Sequence, residues 1–323
     1  MKAFFAAMGM MGASCLAFTP TANAASGTVT ITEMNWSSAA IVTAVSSFLM
    51  EQGYGCTVKK VPTSTVPALT SLAETGQPDV LTELWPGVAD IYYKLEAEGK
   101  IVKVGDVLSD GGEDAWWIPD YLAEAHPELK TLDGILKNPK LVGGRFNNCP
   151  VGWGCRTSND NLIKAFEIEK YGLEVFNHGS GETLAASIAS AYTAKEPWFG
   201  YYWAPTGVLG KYHMVAVDMG PIDKEKAKCN ARADCTTPGK TGWPKATVLT
   251  TMSKPFYDKN PEIVALMSKV SFTNDIMDEV LAWQETNKAT ADEAGVHFLT
   301  KYKEVWPKWL SDEARAKVTA IVK

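Results

Sequence analysis

From residue 28 to residue 34 apolar and polar side chains alternate, the period of a strand with one buried face. The pattern then changes to a helical one over residues 37–51. Ile41, Val42, Val45, Phe48 and Leu49 share one face, and Gly53 reads as the stop. Residues 56–61 give a second strand, 66–74 a short helix, 78–84 a third strand, and 87–99 a further helical stretch. This alternation predicts a largely parallel sheet with helices on both faces. In such sheets ligands sit at the carboxyl ends of the strands, and Trp36 and Trp85 each follow directly on one.

The run Ser109-Asp-Gly-Gly-Glu-Asp114 reads as a break and a polar turn, after which residues 115–119 form a crossing strand. The second region gives a helix at 120–125, a loop through Pro139 and a strand at 141–146. Helices follow at 159–171 and 182–194, then strands at 198–203 and 213–218. Residues 224–243 have no useful periodicity and read as an extended loop, 246–252 as a strand, and 261–323 as helices throughout. Two crossings, near residues 116 and 245, predict a two-lobed α/β molecule with a hinged cleft. Lobe I takes residues 25–115 and 246–323, lobe II residues 116–245, and the helical tail returns to cover lobe I.

Residues 1–24 stand apart from this plan. Lys2, an apolar run over residues 3–18, and Ala22-Asn23-Ala24 make a secretory leader cleaved near Ala24. Cys15 is a poor lipidation site, because Gly12 stands where a lipobox has leucine and the apolar run continues past it. No later segment is long and apolar enough to span a bilayer. The expected product is therefore an exported, periplasmic, monomeric protein.

The formal net charge is −6, one unit more negative without Lys2, which argues against a nucleic-acid partner. Beyond the leader the cysteines are Cys56, Cys149, Cys155, Cys229 and Cys235. In an oxidising compartment their spacing suggests the bridges Cys149–Cys155 and Cys229–Cys235, with Cys56 left as a small buried hydrophobe. No Cys/His spacing suits zinc, and residues 110–114 lack the ligand spacing of a calcium loop. Nucleophile elbows, zinc-protease motifs and P-loops are missing from the sequence, so an enzyme is not expected. No cofactor is expected either.

The chain holds 11 tryptophans, more than a core of this size needs. One lies in Cys149-Pro-Val-Gly-Trp-Gly-Cys155, a loop that a disulfide would clamp around Trp153, with Gly152 and Gly154 leaving the backbone open to a ligand. A fixed indole beside exposed N–H groups suits a molecule with a cationic head and an anionic tail. The competing reading is a stapled surface turn with a buried tryptophan.

That loop, Leu84-Trp85-Pro86, and Tyr201-Tyr-Trp-Ala-Pro205 followed by Val208 resemble the substrate-binding proteins of glycine betaine ABC importers. The resemblance covers nearly the whole chain beyond the leader. It implies the type II periplasmic-binding-protein fold, a two-lobed "Venus flytrap", and an inner-membrane permease with a cytoplasmic ATPase as partner. It also implies that Trp85, Trp153 and Trp203 surround the ligand's trimethylammonium group, while the N–H groups of Gly154 and Cys155 meet its anionic end. A quaternary ammonium has no N–H to donate, so indole faces recognise it by cation–π attraction and methyl burial. Trp36, at the first strand-to-helix turn, is a further candidate contact. On the crossing strand, alternation makes Trp116 the candidate and Trp117 a core residue. Where a betaine-binding member of the family has a histidine four residues after the tryptophan matching Trp85, this chain has Ala89, with Arg156 or Asp90 as possible substitutes. Choline, trimethylamine N-oxide and dimethylsulfoniopropionate share the onium head and are alternative ligands. A secreted carbohydrate-binding protein is the alternative from another class; it calls for tryptophans in a flat row on a β-sandwich.

Overall fold

The computed structural model describes residues 27–323. The leader expected over residues 1–24, with Cys15, lies outside the described residues. The strands are β1 (Thr28–Met34), β2 (Thr57–Thr63), β3 (Val80–Leu84), β4 (Ile101–Pro119), β5 (Arg145–Asn148), β6 (Glu174–Asn177), β7 (Gly200–Ala204), β8 (Met214–Ala216) and β9 (Ala246–Ser253). They are ordered β2-β1-β3-β9-β4-β7-β5-β6, with β8 also paired to β4.

Two sheets share one strand. In lobe I, β1 runs parallel to β2 and β3, and β9 joins β3 and β4 antiparallel. In lobe II, β5 is parallel to β6 and β7, while β7 and β8 run antiparallel to β4. The sheets are therefore mixed: parallel where helices carry the chain over, antiparallel where the long strand and the returning strand meet. The two-lobed α/β plan read from periodicity is the observed one.

The glycine- and aspartate-rich run is not a break. β4 passes straight through it, pairing with β9 up to Gly112 and with β7 from Glu113 onward. Gly111 adopts φ +73° at a register shift, and a Cβ there would lie 2.6 Å from the Ala246 carbonyl oxygen. The polar atoms of this segment are satisfied by another part of the chain. Ser109 N–H donates to Phe272 O at 2.9 Å, and Asn274 N–H donates to Asp110 Oδ2 at 2.8 Å. The same residue types that make turns here permit close approach of backbones at a strand shared by both lobes.

Smaller departures have equally local causes. The first helix, Ser37–Tyr54, runs through Gly53 and ends at Gly55, whose φ of +73° caps it with a bond to Glu51 O. Gly53 instead admits the C-terminal helix Asp312–Ile321, since a Cβ would sit 3.2 Å from Ala314 Cβ. That helix and Ala291–Lys301 both pack on Ser37–Tyr54, so the tail covers the first helix. Residues 224–243 contain a helix, Lys224–Asn230, whose N-terminal amides are capped by the Asp223 carboxylate. Both expected disulfides are formed, and Cys56 is buried. Among the described residues no helix is long and apolar enough to cross a membrane.

Candidate functional site

Four tryptophans from four separate elements meet between the lobes. Trp36 is the N-cap of Ser37–Tyr54 at the end of β1, and Trp85 follows β3 directly. Trp153 is the N-cap of the helix Gly154–Phe166, and Trp203 lies in β7. All four line one cavity, together with Gly154, Cys155 and three residues of other kinds, Thr65, Asp114 and Tyr201. Trp153 is the centre of the group, with its ring centroid 5.5 Å from Trp36 and 5.0 Å from Trp203, both edge-to-face. The rings nearly fill the space they enclose, leaving about 30 Å³, roughly one water's share.

Trp153 also ties the lobes together. Its Nε1–H donates to Asn35 Oδ1 at 2.8 Å, and in the same loop Gly152 O accepts from Val66 N–H at 3.2 Å. Gly181 gives the indole room, since a Cβ there would come within 2.8 Å of its Cη2. The disulfide Cys149–Cys155 closes the loop behind it. The helix Gly154–Phe166 has no side-chain cap, and the first amides of a helix lack intrahelical acceptors. The Gly154 and Cys155 N–H groups thus bring the positive end of a 13-residue helix to the cavity. Thr65, first residue of the helix Thr65–Thr75, adds a hydroxyl.

Two buried carboxylates belong to this region. Asp114 stands opposite Trp203 in the β4–β7 register and accepts from Tyr201 Oη at 2.6 Å. Burial pushes its pKa up to about 6, against the opposing pull of the Tyr201 hydrogen bond. Glu83, fully buried behind the rings, accepts from Trp36 Nε1–H at 2.5 Å and from Ser38 Oγ–H at 2.7 Å. Burial pushes it up to about 7, with hydrogen bonds from Ser38 and Trp36 working the other way. Among the described residues no lysine or arginine lines the cavity, and no cluster could hold a metal ion.

These shifts carry a stability consequence with a definite sign. Both folded-state values lie above the ordinary carboxylate range, so folding takes up protons. The stabilisation is fully present near pH 4 and is lost as pH rises through about 6 and about 7. At about 1.4 kcal/mol per unit, the pair is worth a few kcal/mol over that window. Calorimetric unfolding of the ligand-free protein from pH 4 to 8 is expected to show this slope flattened in a Glu83→Gln/Asp114→Asn double variant. An unchanged slope would exclude these two groups as its source.

The structure brings Trp36, Trp85, Trp153, Trp203, Gly154 and Cys155 to one cavity, and it keeps Trp116 away. Trp116 is fully buried in lobe II, packed on Phe146, Phe166 and Phe199, with its Nε1–H donating to Asn159 Oδ1 at 2.7 Å. It sits two residues beyond Asp114, at a depth where the helix Gly154–Phe166 supplies Asn159 and Phe166 to cover it. Trp117 is buried as well, its Nε1–H donating to Tyr202 O. Ala89 is packed away, Arg156 is paired with Asp160 at 2.9 Å, and Asp90 lies 3.9 Å from Arg232. Thr65, Asp114 and Glu83 were not singled out as site residues by the sequence, while Tyr201 and Tyr202, flanking Trp203, read there as core packing by default, with one of them as a further side of the box. Glu83 left one signal, a lone acid in an otherwise uncharged strand that ends at a tryptophan.

A family model described as the substrate-binding domain of the ABC-type glycine betaine transport system matches residues 27–301. Among solved structures, a glycine betaine/L-proline-binding protein (ProX) from Borrelia burgdorferi superposes with a TM-score of 0.73 at 16% identity, covering 90% of this chain and 99% of that one. An ABC-transporter choline-binding protein in complex with choline gives 0.71 at 19% identity, covering 92% and 98%. The lactococcal OpuAC in its closed form with glycine betaine gives 0.70 at 17% identity, covering 88% and 100%. At these identities the superpositions speak to the fold.

Proposed function

Because the chain belongs to the family of substrate-binding domains of ABC-type glycine betaine transport systems, we propose that it captures a small quaternary ammonium or related onium solute, glycine betaine-like, in its tryptophan cage. The observation that carries this reading is four indoles around one interlobe cavity with no basic side chain among its lining residues. Each well-placed ring contributes about 1–2 kcal/mol to holding a desolvated cation, so several rings with methyl burial suffice for micromolar affinity. The ligand's polar or anionic end meets the Gly154 and Cys155 N–H groups and the Thr65 hydroxyl, which takes the place of the histidine missing at Ala89.

Export by the leader would put the protein in the periplasm. There it would deliver its solute to an inner-membrane permease driven by a cytoplasmic ATPase, with no chemistry of its own. Asp114 beside the cage favours a positive head on the solute, and the helix N-terminus favours an anionic tail. The arrangement therefore suits both cationic choline and zwitterionic betaine.

The test is a calorimetric panel on the purified protein. Glycine betaine, choline, trimethylamine N-oxide and dimethylsulfoniopropionate are compared with a neutral oligosaccharide. At least one onium compound is expected to bind at micromolar concentration and the oligosaccharide not at all. The reverse result would favour a carbohydrate-binding protein.

A further inference from the structure

Resting on the onium reading above, we infer that Glu83, which lies outside the cavity lining, is a positioning residue that fixes Trp36 as a wall of the cage and strengthens its hold on a cation. The backbone first marks the residue. β3 slips register between Leu81 and Leu84, and Glu83 takes φ +51°, a left-handed conformation that a long side chain adopts only at a cost. The strand is buried along its whole length, so the carboxylate is held where water does not reach it.

No ammonium or guanidinium among the described residues forms an ion pair with it. Its hydrogen-bond partners are Trp36 Nε1–H and Ser38 Oγ–H, both on Oε1. Oε2 is buried without a hydrogen-bond partner at normal distance. A carboxylate on β3 thus holds the tryptophan that follows β1, and that tryptophan lines the cavity.

The physical consequence has two parts. A hydrogen bond from an indole N–H to a carboxylate fixes the plane of the ring, which decides whether its face or its edge meets the solute. The negative charge on the N–H side also polarises the indole and raises the negative potential of the face that a cation occupies. A buried, unpaired carboxylate is a poor device for stability, since an apolar side chain would avoid its desolvation. Behind a cation site that cost has a use: a bound positive charge supplies the missing counter-charge. Cation binding and ionisation of Glu83 then favour each other. Trp36 and Ser38, which are bonded to the carboxylate, do not titrate. Of the titrating groups that line the cavity, Asp114 on β4 is acted on by Glu113 and Tyr201.

The experiment uses the full folded protein with choline as probe, measured calorimetrically at pH 6 and pH 8. Circular dichroism melting serves as the fold control. Glu83→Gln keeps one acceptor for Trp36 and Ser38 but loses the charge, and is expected to bind about tenfold more weakly at pH 8. The gain in wild-type affinity between pH 6 and 8 should shrink in this variant to the part contributed by Asp114. Trp36→Phe keeps a ring but removes the N–H, and Glu83→Gln should cost less affinity in that background than in the wild type, because the charge then no longer reaches the ring through the bond. Wild-type choline affinity in Glu83→Gln at both pH values, or fully additive losses in the double variant, would overturn the inference. Should Glu83→Gln fail to fold, Trp36→Phe alone decides it: a reduced pH gain supports the role, and an unchanged one refutes it. Failure of the wild-type protein to bind any onium compound would overturn the functional reading and this inference together. Normal binding with unaffected variants would overturn only the inference.

Discussion

Replacing Trp153 with alanine is expected to lower onium affinity about a hundredfold or more while the chain still folds. Trp153 is the ring that touches two others, at 5.5 and 5.0 Å, so its loss removes one face and loosens two more. It also removes the Nε1–H···Asn35 bond, which joins the loop to the turn after β1. Aromatic anchors of this kind carry 2 kcal/mol or more in binding sites, and a tenfold change needs only about 1.4. Folding is protected because the disulfide Cys149–Cys155 and the helix Gly154–Phe166 hold the loop without the indole. Calorimetric titration beside a thermal melt separates the two effects. Wild-type affinity in Trp153→Ala would remove the ring from the site.

The second large effect is expected at a residue with no side chain. A Cβ on Gly112 would lie 2.2 Å from Trp85 Cη2 and 2.3 Å from Cζ3. The indole is rigid and buried, so Gly112→Ala must push Trp85 out of the cage or open the shared strand β4 at the point where it changes partner. Overpacking of this sort costs about 1–3 kcal/mol of stability. The larger loss should fall on binding, more than tenfold, with a lower melting temperature beside it. Unchanged affinity would show that Trp85 can move without consequence for the ligand.

These two residues show what could and could not be read along the chain. Trp153 was legible because its signal is local: two cysteines, two glycines and an expensive side chain within seven residues. Gly112 was not, because glycine beside aspartate reads as a turn wherever it occurs. Its actual task, letting Trp85 lie on the backbone of a strand shared by both lobes, depends on residues 27 positions apart in sequence. Trp116 illustrates a different limit. Alternation assigns a face of a strand, but it says nothing of depth along that face, and the covering helix comes from further down the chain. Asp114 became visible only once β4 and β7 were paired, which sets it opposite Trp203. The strand–helix order carried the two-lobed plan because hydrophobic period is local, whereas sheet partners and register shifts are not.

The central claim is that the cage recognises positive charge spread over methyl groups, and one titration tests it most directly. Choline is compared calorimetrically with its neutral carbon isostere, in which a tert-butyl group replaces the trimethylammonium, while tryptophan fluorescence is followed in parallel. The two ligands match in shape and apolar surface, so any difference in affinity comes from charge. The account predicts that choline binds at least tenfold more tightly and perturbs the fluorescence as the ring pairs open around it. Equal affinity for the two, or no binding of choline and no binding of glycine betaine in the same experiment, would contradict it.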